Sequence, residues 1–163
     1  MKNKQNEPTN NINEYLKTKV MTASPEQLQM MLYDGAIRFC EQARIAIQEK
    51  KIEQSYNLIV KAEKILLELC TSMREEIAPE TCARMGALYM FCYDRLITAN
   101  LKKDFQALDE ALDIMRHMRQ TWSLLMEKLQ QEKTNNPSEP TQTVPSLPDA
   151  LAEEIGATVS FEG

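Results

Sequence analysis

Residues 24–47, with the sequence SPEQLQMMLYDGAIRFCEQARIAI, carry the pattern that decides the fold. Ser24 is a favourable N-cap, Pro25 suits the first helical position, and Gln27 completes a capping box with Ser24. Apolar residues then recur at helical spacing as far as about Lys50. The stretch therefore predicts a long amphipathic helix that begins at a well-defined residue.

Three further stretches show the same helical period. They predict helices over about 52–77, 81–100 and 104–133, with Asp104 as the cap of the last and Pro79 in the turn before the third. Four long helices joined by short connections favour antiparallel neighbours. The sequence therefore predicts an all-α fold, an antiparallel up-and-down four-helix bundle.

Charge is distributed unevenly along the 163 residues. The formal net charge of −5 comes from 24 acidic and 19 basic residues, and residues 134–163 hold five of the acids but no Lys or Arg. Subtracting those five leaves 19 acids and 19 bases in residues 1–133. We therefore divide the chain into an N-terminal arm (1–22), a four-helix bundle (23–133) and a Pro-rich acidic tail (134–163).

The two ends of the chain have the composition of segments that cannot build a core. Residues 1–13 are rich in Asn and charge, and residues 134–148 hold four of the seven prolines. Both are expected to be disordered, with the tail flexible. Around the last proline, Leu147, Leu151 and Ile155 recur every four residues. This spacing allows a short helix near 148–155, which would be marginal in water by itself.

Composition and charge exclude several classes of function. A body without a basic surplus argues against a nucleic-acid partner, and an acidic tail would be repelled by an anionic membrane. No run approaches the ~18 apolar residues of a membrane span, and the first residues lack the apolar centre of a signal peptide. The glycines form no phosphate-binding loop. We therefore expect a cytosolic protein with no cofactor and no membrane insertion.

Two of the predicted helices have more apolar surface than a bundle core can cover. In the first, a second stripe is rotated by roughly 120–170° from the main one, and it consists of Met30, Tyr33, Ile37 and Cys40. In the third, residues outside or beside the main stripe are Met90, Tyr93, Ile97 and Leu101. Two interpretations stay open: the arm or tail covers these stripes, or they form a groove for a partner helix.

Two blocks of sequence in these same helices are distinctive. VMTASPEQL (20–28) with MLYDGAI (31–37) opens the first helix, and LYMFCYDRLI (88–97) with ANLKKD (99–104) lies in the third. Both resemble blocks of the flagellin export chaperone family, FliS. The resemblance covers about residues 14–130, and the tail departs from the family pattern.

The resemblance implies a cytosolic bundle without enzymatic activity. Such a chaperone binds the disordered C-terminal segment of flagellin, prevents its premature polymerisation and assists its delivery to the flagellar export apparatus. Tyr15 and Trp122 stand where the family has an N-terminal tyrosine and a late tryptophan. We expect Tyr15 to cover the empty groove, and a homodimer of the free protein is compatible with the same stripes. The expected client contacts are Met30, Tyr33, Ile37, Met90, Tyr93, Ile97 and Leu101.

Two other functions fit a four-helix bundle. His117, the only histidine, projects from the polar side of the fourth helix, as in a histidine phosphotransfer module, but Gln120 and Thr121 are larger than a close-approaching receiver domain favours. The other alternative is a homo-oligomeric scaffold with the extra stripes as a self-interface. A metal site is disfavoured, because one histidine cannot form Glu-x-x-His pairs and the four cysteines form no CxxC pair.

Overall fold

The computed structural model describes residues 8–135, with side chains from residue 14 onward. In that range it contains the helices α1 (Pro8–Thr22), α2 (Pro25–Gln48), α3 (Ile52–Thr71), α4 (Pro79–Lys102) and α5 (Phe105–Asn135). Helices α2 and α4 each pack on α3 and on α5, which closes a ring of four helices. The predicted all-α, up-and-down four-helix bundle is confirmed. Within the described residues no helix is both long and apolar enough to cross a membrane.

The starts of α2 and α5 lie where local signals in the sequence place them. The Ser24 hydroxyl accepts a hydrogen bond from the Gln27 N–H at 3.2 Å, and the Gln27 side-chain oxygen accepts one from the Ser24 N–H at 2.9 Å. At the start of α5, the Asp104 carboxylate accepts from the N–H groups of Gln106 and Ala107. Each cap satisfies backbone donors that have no partner inside the helix.

The end of α3 differs from the expectation. The helix was predicted to reach Ile77 but ends at Thr71, since Ser72 caps it. The Ser72 N–H donates to the Glu68 carbonyl at 2.9 Å, and the Ser72 hydroxyl donates to the Leu69 carbonyl at 3.2 Å. The chain then turns, and α4 begins two residues earlier than predicted, because a proline at the first helical position has no N–H to leave unsatisfied.

The N-terminal arm also differs from the expectation. Residues 8–13 were expected to be disordered, but they form the first part of α1. Leu16 and Val20 are four residues apart, so they lie on one side of this helix, and Val20 is buried in the bundle core. Residues 1–7 and the tail from 136, including the helix considered near 148–155, lie outside the described residues.

Candidate functional site

Contacts at both ends of α3 and α4 fix the alignment of these antiparallel helices. At one end the Lys103 ammonium donates to the Ser55 hydroxyl at 3.4 Å. At the other end Gly86 lies so close to α3 that a Cβ atom on it would be 3.4 Å from Met73 Cε and 4.0 Å from Cys70 Sγ. Lys103 is therefore level with Ser55, and Gly86 is level with the last turn of α3.

Between these contacts each helix carries a stripe of four residues at the spacing i, i+4, i+7 and i+11. The α3–α4 seam, as we define it, consists of Tyr56, Val60, Glu63 and Leu67 on α3 and Met90, Asp94, Ile97 and Leu101 on α4. Cys70 and Gly86, which face each other, continue the two stripes by one turn. The alignment gives four levels, which pair Tyr56 with Leu101, Val60 with Ile97, Glu63 with Asp94, and Leu67 with Met90.

Three of the four levels are apolar, and the two outermost of them are exposed to solvent. Leu101 is 80% exposed and Met90 is 42% exposed. Tyr56 and Leu67 are exposed as well, while the middle apolar pair is half-buried. Exposed apolar side chains clustered outside the core of a bundle are typical of a surface that binds another chain.

The structure brings together the predicted contacts on α4. Met90, Ile97 and Leu101 lie in the α3–α4 seam, and Tyr93 is half-buried against the core in the same helix. Sequence reasoning missed the α3 half of the seam, because its apolar members lie among charged residues outside the main arc of that helix. The signal that could have found it is the same i, i+4, i+7, i+11 spacing on both helices.

Met30 and Ile37 lie elsewhere, on the side of α2 that packs on α5. Both are partly buried, and Ile37 packs against the core. They share this side with Asp34, one turn from each of them, which pairs with Arg119 of α5. Because α2–α5 and α3–α4 are opposite pairs in the ring, the predicted contacts fall into two separate groups. Ion pairs between α2 and α5 include Asp34–Arg119, Glu41–Arg116 and Arg44–Asp109.

Tyr33 does not lie at the surface, contrary to the prediction. Its side chain is 1% exposed, and its hydroxyl lies 2.6 Å from the hydroxyl of Tyr89, diagonally across the bundle. The Gln29 side-chain amide donates to the Tyr89 hydroxyl at 3.4 Å. Burial raises the pKa of both phenols, so the pair stays neutral. Tyr33 therefore belongs to the core rather than to a groove.

Two cysteines also belong to the core. Cys40, the last member of the second stripe of the first predicted helix, is buried, and so is Cys92. Burial raises the pKa of Cys92 to about 12 and raises the pKa of Cys40 as well. All four cysteines are free thiols. The buried pair therefore acts as small neutral side chains of the core, as expected from the absence of paired spacing.

Tyr15 covers little of the bundle. It lies on α1 with 66% of its surface exposed, whereas Val20 of the same helix is buried. Its position therefore does not support the predicted covering role. His117 is exposed on α5, and among the described residues no group of His, Cys, Asp and Glu side chains is arranged to hold a metal ion.

Comparison with known proteins identifies the family. A sequence model of the family described as flagellar protein FliS matches residues 8–129. The chain belongs to the FliS family. The flagellar secretion chaperone FliS of Bacillus subtilis (strain 168) is 35% identical over 108 residues, which are 66% of this chain and 80% of that protein. The FliS chaperone of Escherichia coli (strain K12) is 32% identical over 120 residues, 72% of this chain and 88% of its own length.

The FliS assignment confirms the resemblance seen in the two sequence blocks. A further FliS chaperone, from Campylobacter jejuni, is 29% identical over 110 residues, which are 68% of this chain and 86% of that protein. The family is one of secretion chaperones, which is not a class of enzymes. The match ends at residue 129, so the acidic tail lies outside it.

Proposed function

We propose that this member of the FliS family is a cytosolic export chaperone for flagellin. It binds the disordered C-terminal segment of flagellin, prevents premature polymerisation and assists delivery to the flagellar export apparatus. The observation that supports client binding is the α3–α4 seam, where two apolar levels are exposed and a third is half-buried on a helical surface. The family supplies the secretion context, and flagellin is the client that the sequence resemblance implies.

Binding proceeds by coupled folding of the client. A disordered segment that folds on the chaperone loses conformational entropy, which moderates its affinity and permits release. Covering one exposed leucine or methionine contributes roughly 1.5–3 kcal/mol, so a few anchors can dominate. While its apolar stripe is covered by the seam, the client segment cannot pack with other flagellin molecules.

The two groups of predicted contacts favour a client that wraps around the bundle. The α3–α4 seam is the more open site, and Met30 and Ile37 supply a second, partly buried site on the opposite side. A segment that reaches both must cross an end or a side of the bundle. Binding at two sites raises the effective concentration of each part of the client for its own site.

The test compares two surface leucine or methionine positions on α4 that are equally exposed but face different neighbours. Met90 lies in the seam. Leu88 is 40% exposed and lies on α4 two turns before Arg95. The Arg95 guanidinium is 2.8 Å from a carboxylate oxygen of Glu110 on α5. Met90→Asp and Leu101→Asp should each weaken binding of a flagellin C-terminal peptide at least about tenfold, the lower end of the burial energy.

Leu88→Asp is the matched control and should change the dissociation constant less than about twofold. All three variants should keep the helical circular dichroism of the wild type, because the mutated side chains are exposed. Equal weakening by the control would contradict the seam as the binding surface. Absence of peptide binding by the wild type would contradict the chaperone function. A mass that shows an oligomer, and persists after peptide is added, would favour the scaffold alternative.

A further inference from the structure

The α3–α4 seam contains one acidic level between apolar levels. Glu63 and Asp94 occupy the third position of the α3 stripe and the second position of the α4 stripe. Because the helices are antiparallel, these two carboxylates lie at the same level. Val60 and Ile97 form the level on one side of them, and Leu67 and Met90 form the level on the other.

The two carboxylates of the acidic level differ in their environment, and Asp94 is exposed to solvent. Glu63 is half-buried, and burial, rather than a neighbouring charge, raises the pKa of its carboxyl. A purely apolar helix laid along the seam would remove both carboxylates further from water without a partner, which is unfavourable. A cation at this level would instead form charge-assisted hydrogen bonds with them.

We infer that the α3–α4 seam binds a client helix whose apolar anchors are interrupted by one Lys or Arg, with its cation at the level of Glu63 and Asp94. The inference rests on the proposed function and specifies the chemistry of the client. The levels are about 6, 4.5 and 6 Å apart at 1.5 Å per residue. A client helix that directs its residues i, i+4, i+7 and i+11 at the seam matches these spacings. Its cation is at i+4 if the client helix runs parallel to α4, and at i+7 if the client helix runs parallel to α3.

Charge argues against the chain's own tail as the occupant of this seam. Residues 134–163 contain five acids and no Lys or Arg. That segment offers no side-chain cation for the level of Glu63 and Asp94, and its charge has the same sign as the seam. The seam therefore selects a basic amphipathic client over the acidic segment that is tethered to the bundle.

The experiment measures binding of a flagellin C-terminal peptide to the full-length protein by calorimetry at several salt concentrations. The double variant Glu63→Gln/Asp94→Asn should bind about tenfold more weakly than the wild type at low salt, with a smaller dependence on salt. Glu127→Gln, at an exposed carboxylate on α5, is the control and should leave both unchanged. Replacing the Lys and Arg residues of the peptide by Gln, one at a time, should identify one whose effect disappears in the double variant.

The outcomes separate the inference from the proposed function. If the wild type binds the peptide and the double variant binds it equally or more tightly, the cation is not recognised and the inference fails while the chaperone function stands. The same conclusion follows if no single Lys or Arg of the peptide couples to the two carboxylates. If the wild type does not bind the peptide, the proposed function fails and the inference fails with it.

Discussion

The buried hydroxyl pair of Tyr33 and Tyr89 is the polar contact across the core whose removal has the clearest consequence. In Tyr33→Phe the Tyr89 hydroxyl keeps only the Gln29 amide at 3.4 Å, so the free energy of unfolding should fall by about 1–3 kcal/mol. The variant Tyr33→Phe/Tyr89→Phe removes both hydroxyls and should lose less than the sum of the single losses. Urea unfolding measures each value. If the losses of the two single variants add up to the loss of the double variant, the two hydroxyls do not depend on each other. Tyr56→Phe, at an exposed position, is the control.

Glu63 should make the stability of the bundle depend on pH. Its carboxyl has a raised pKa in the folded protein because it is half-buried. As the pH rises, the unfolded chain therefore loses this proton first, and stability falls through the range between the two pKa values. Glu63→Gln removes that loss. The variant should be more stable than the wild type at about pH 7, and the difference should shrink toward about pH 4.

Denaturant unfolding of the wild type and of Glu63→Gln at both pH values provides the measurement. The comparison between the two proteins at each pH removes the pH dependence that they share. A variant that is less stable than the wild type at neutral pH would mean that the Glu63 carboxylate is stabilised in the free bundle. That result would also weaken the argument that the two carboxylates of the acidic level bind a cation of the client.

The position of a side chain could be predicted only where the apolar pattern of its own helix determines it. The wheel of the third predicted helix placed Met90, Ile97 and Leu101 on one surface, and the structure agrees. Tyr33 looked similar on its own wheel, but its burial depends on Tyr89, a residue 56 positions away that no single-helix projection includes. Glu63 was missed because it lies outside the apolar arc of its own helix. A carboxylate in that position is expected to be exposed until the position of the neighbouring helix is known.

At the scale of helices, starts were more predictable than ends and connections. A capping box such as that of Ser24 and Gln27 lies within four residues, so the sequence contains all of it. The end of α3 at Thr71 depends on Ser72 bonding back to the last turn, while the following Met73 is apolar and continues the period. The arm was misread because its Asn-rich composition hid the helical spacing of its few apolar residues.

The attachment of α1 to the bundle should depend on Val20. This side chain is buried, whereas the adjacent Met21 is exposed. Val20→Asp should lower the free energy of unfolding by about 1.5–3 kcal/mol, the value of burying one such side chain, and should raise hydrogen exchange throughout α1. Met21→Asp is the matched control and should change neither. If Val20→Asp leaves exchange in α1 unchanged, contacts other than Val20 hold this helix.

At the scale of the whole molecule, the hydrophobic core and the net negative charge lie in different parts of the chain. The buried hydrophobic side chains of the described residues extend from Val20 to Met118, and the family match ends at residue 129. The net charge of −5 lies entirely beyond that match, because residues 1–133 are balanced. Deletion of residues 136–163 should therefore change the free energy of unfolding by less than about 0.5 kcal/mol.

The same deletion should nevertheless slow client binding if the client carries a cation. An acidic segment attached to the bundle attracts a basic peptide over distances comparable to the Debye length, about 10 Å at 0.1 M salt. Removing it should reduce the association rate constant at low salt and leave the dissociation rate constant unchanged, because steering acts before contact. Stopped-flow binding at low and high salt measures both constants, and the difference should vanish at high salt. A faster association after deletion would mean that the tail competes with the client for the seam, contrary to the charge argument. A faster dissociation would mean that it contacts the bound client directly.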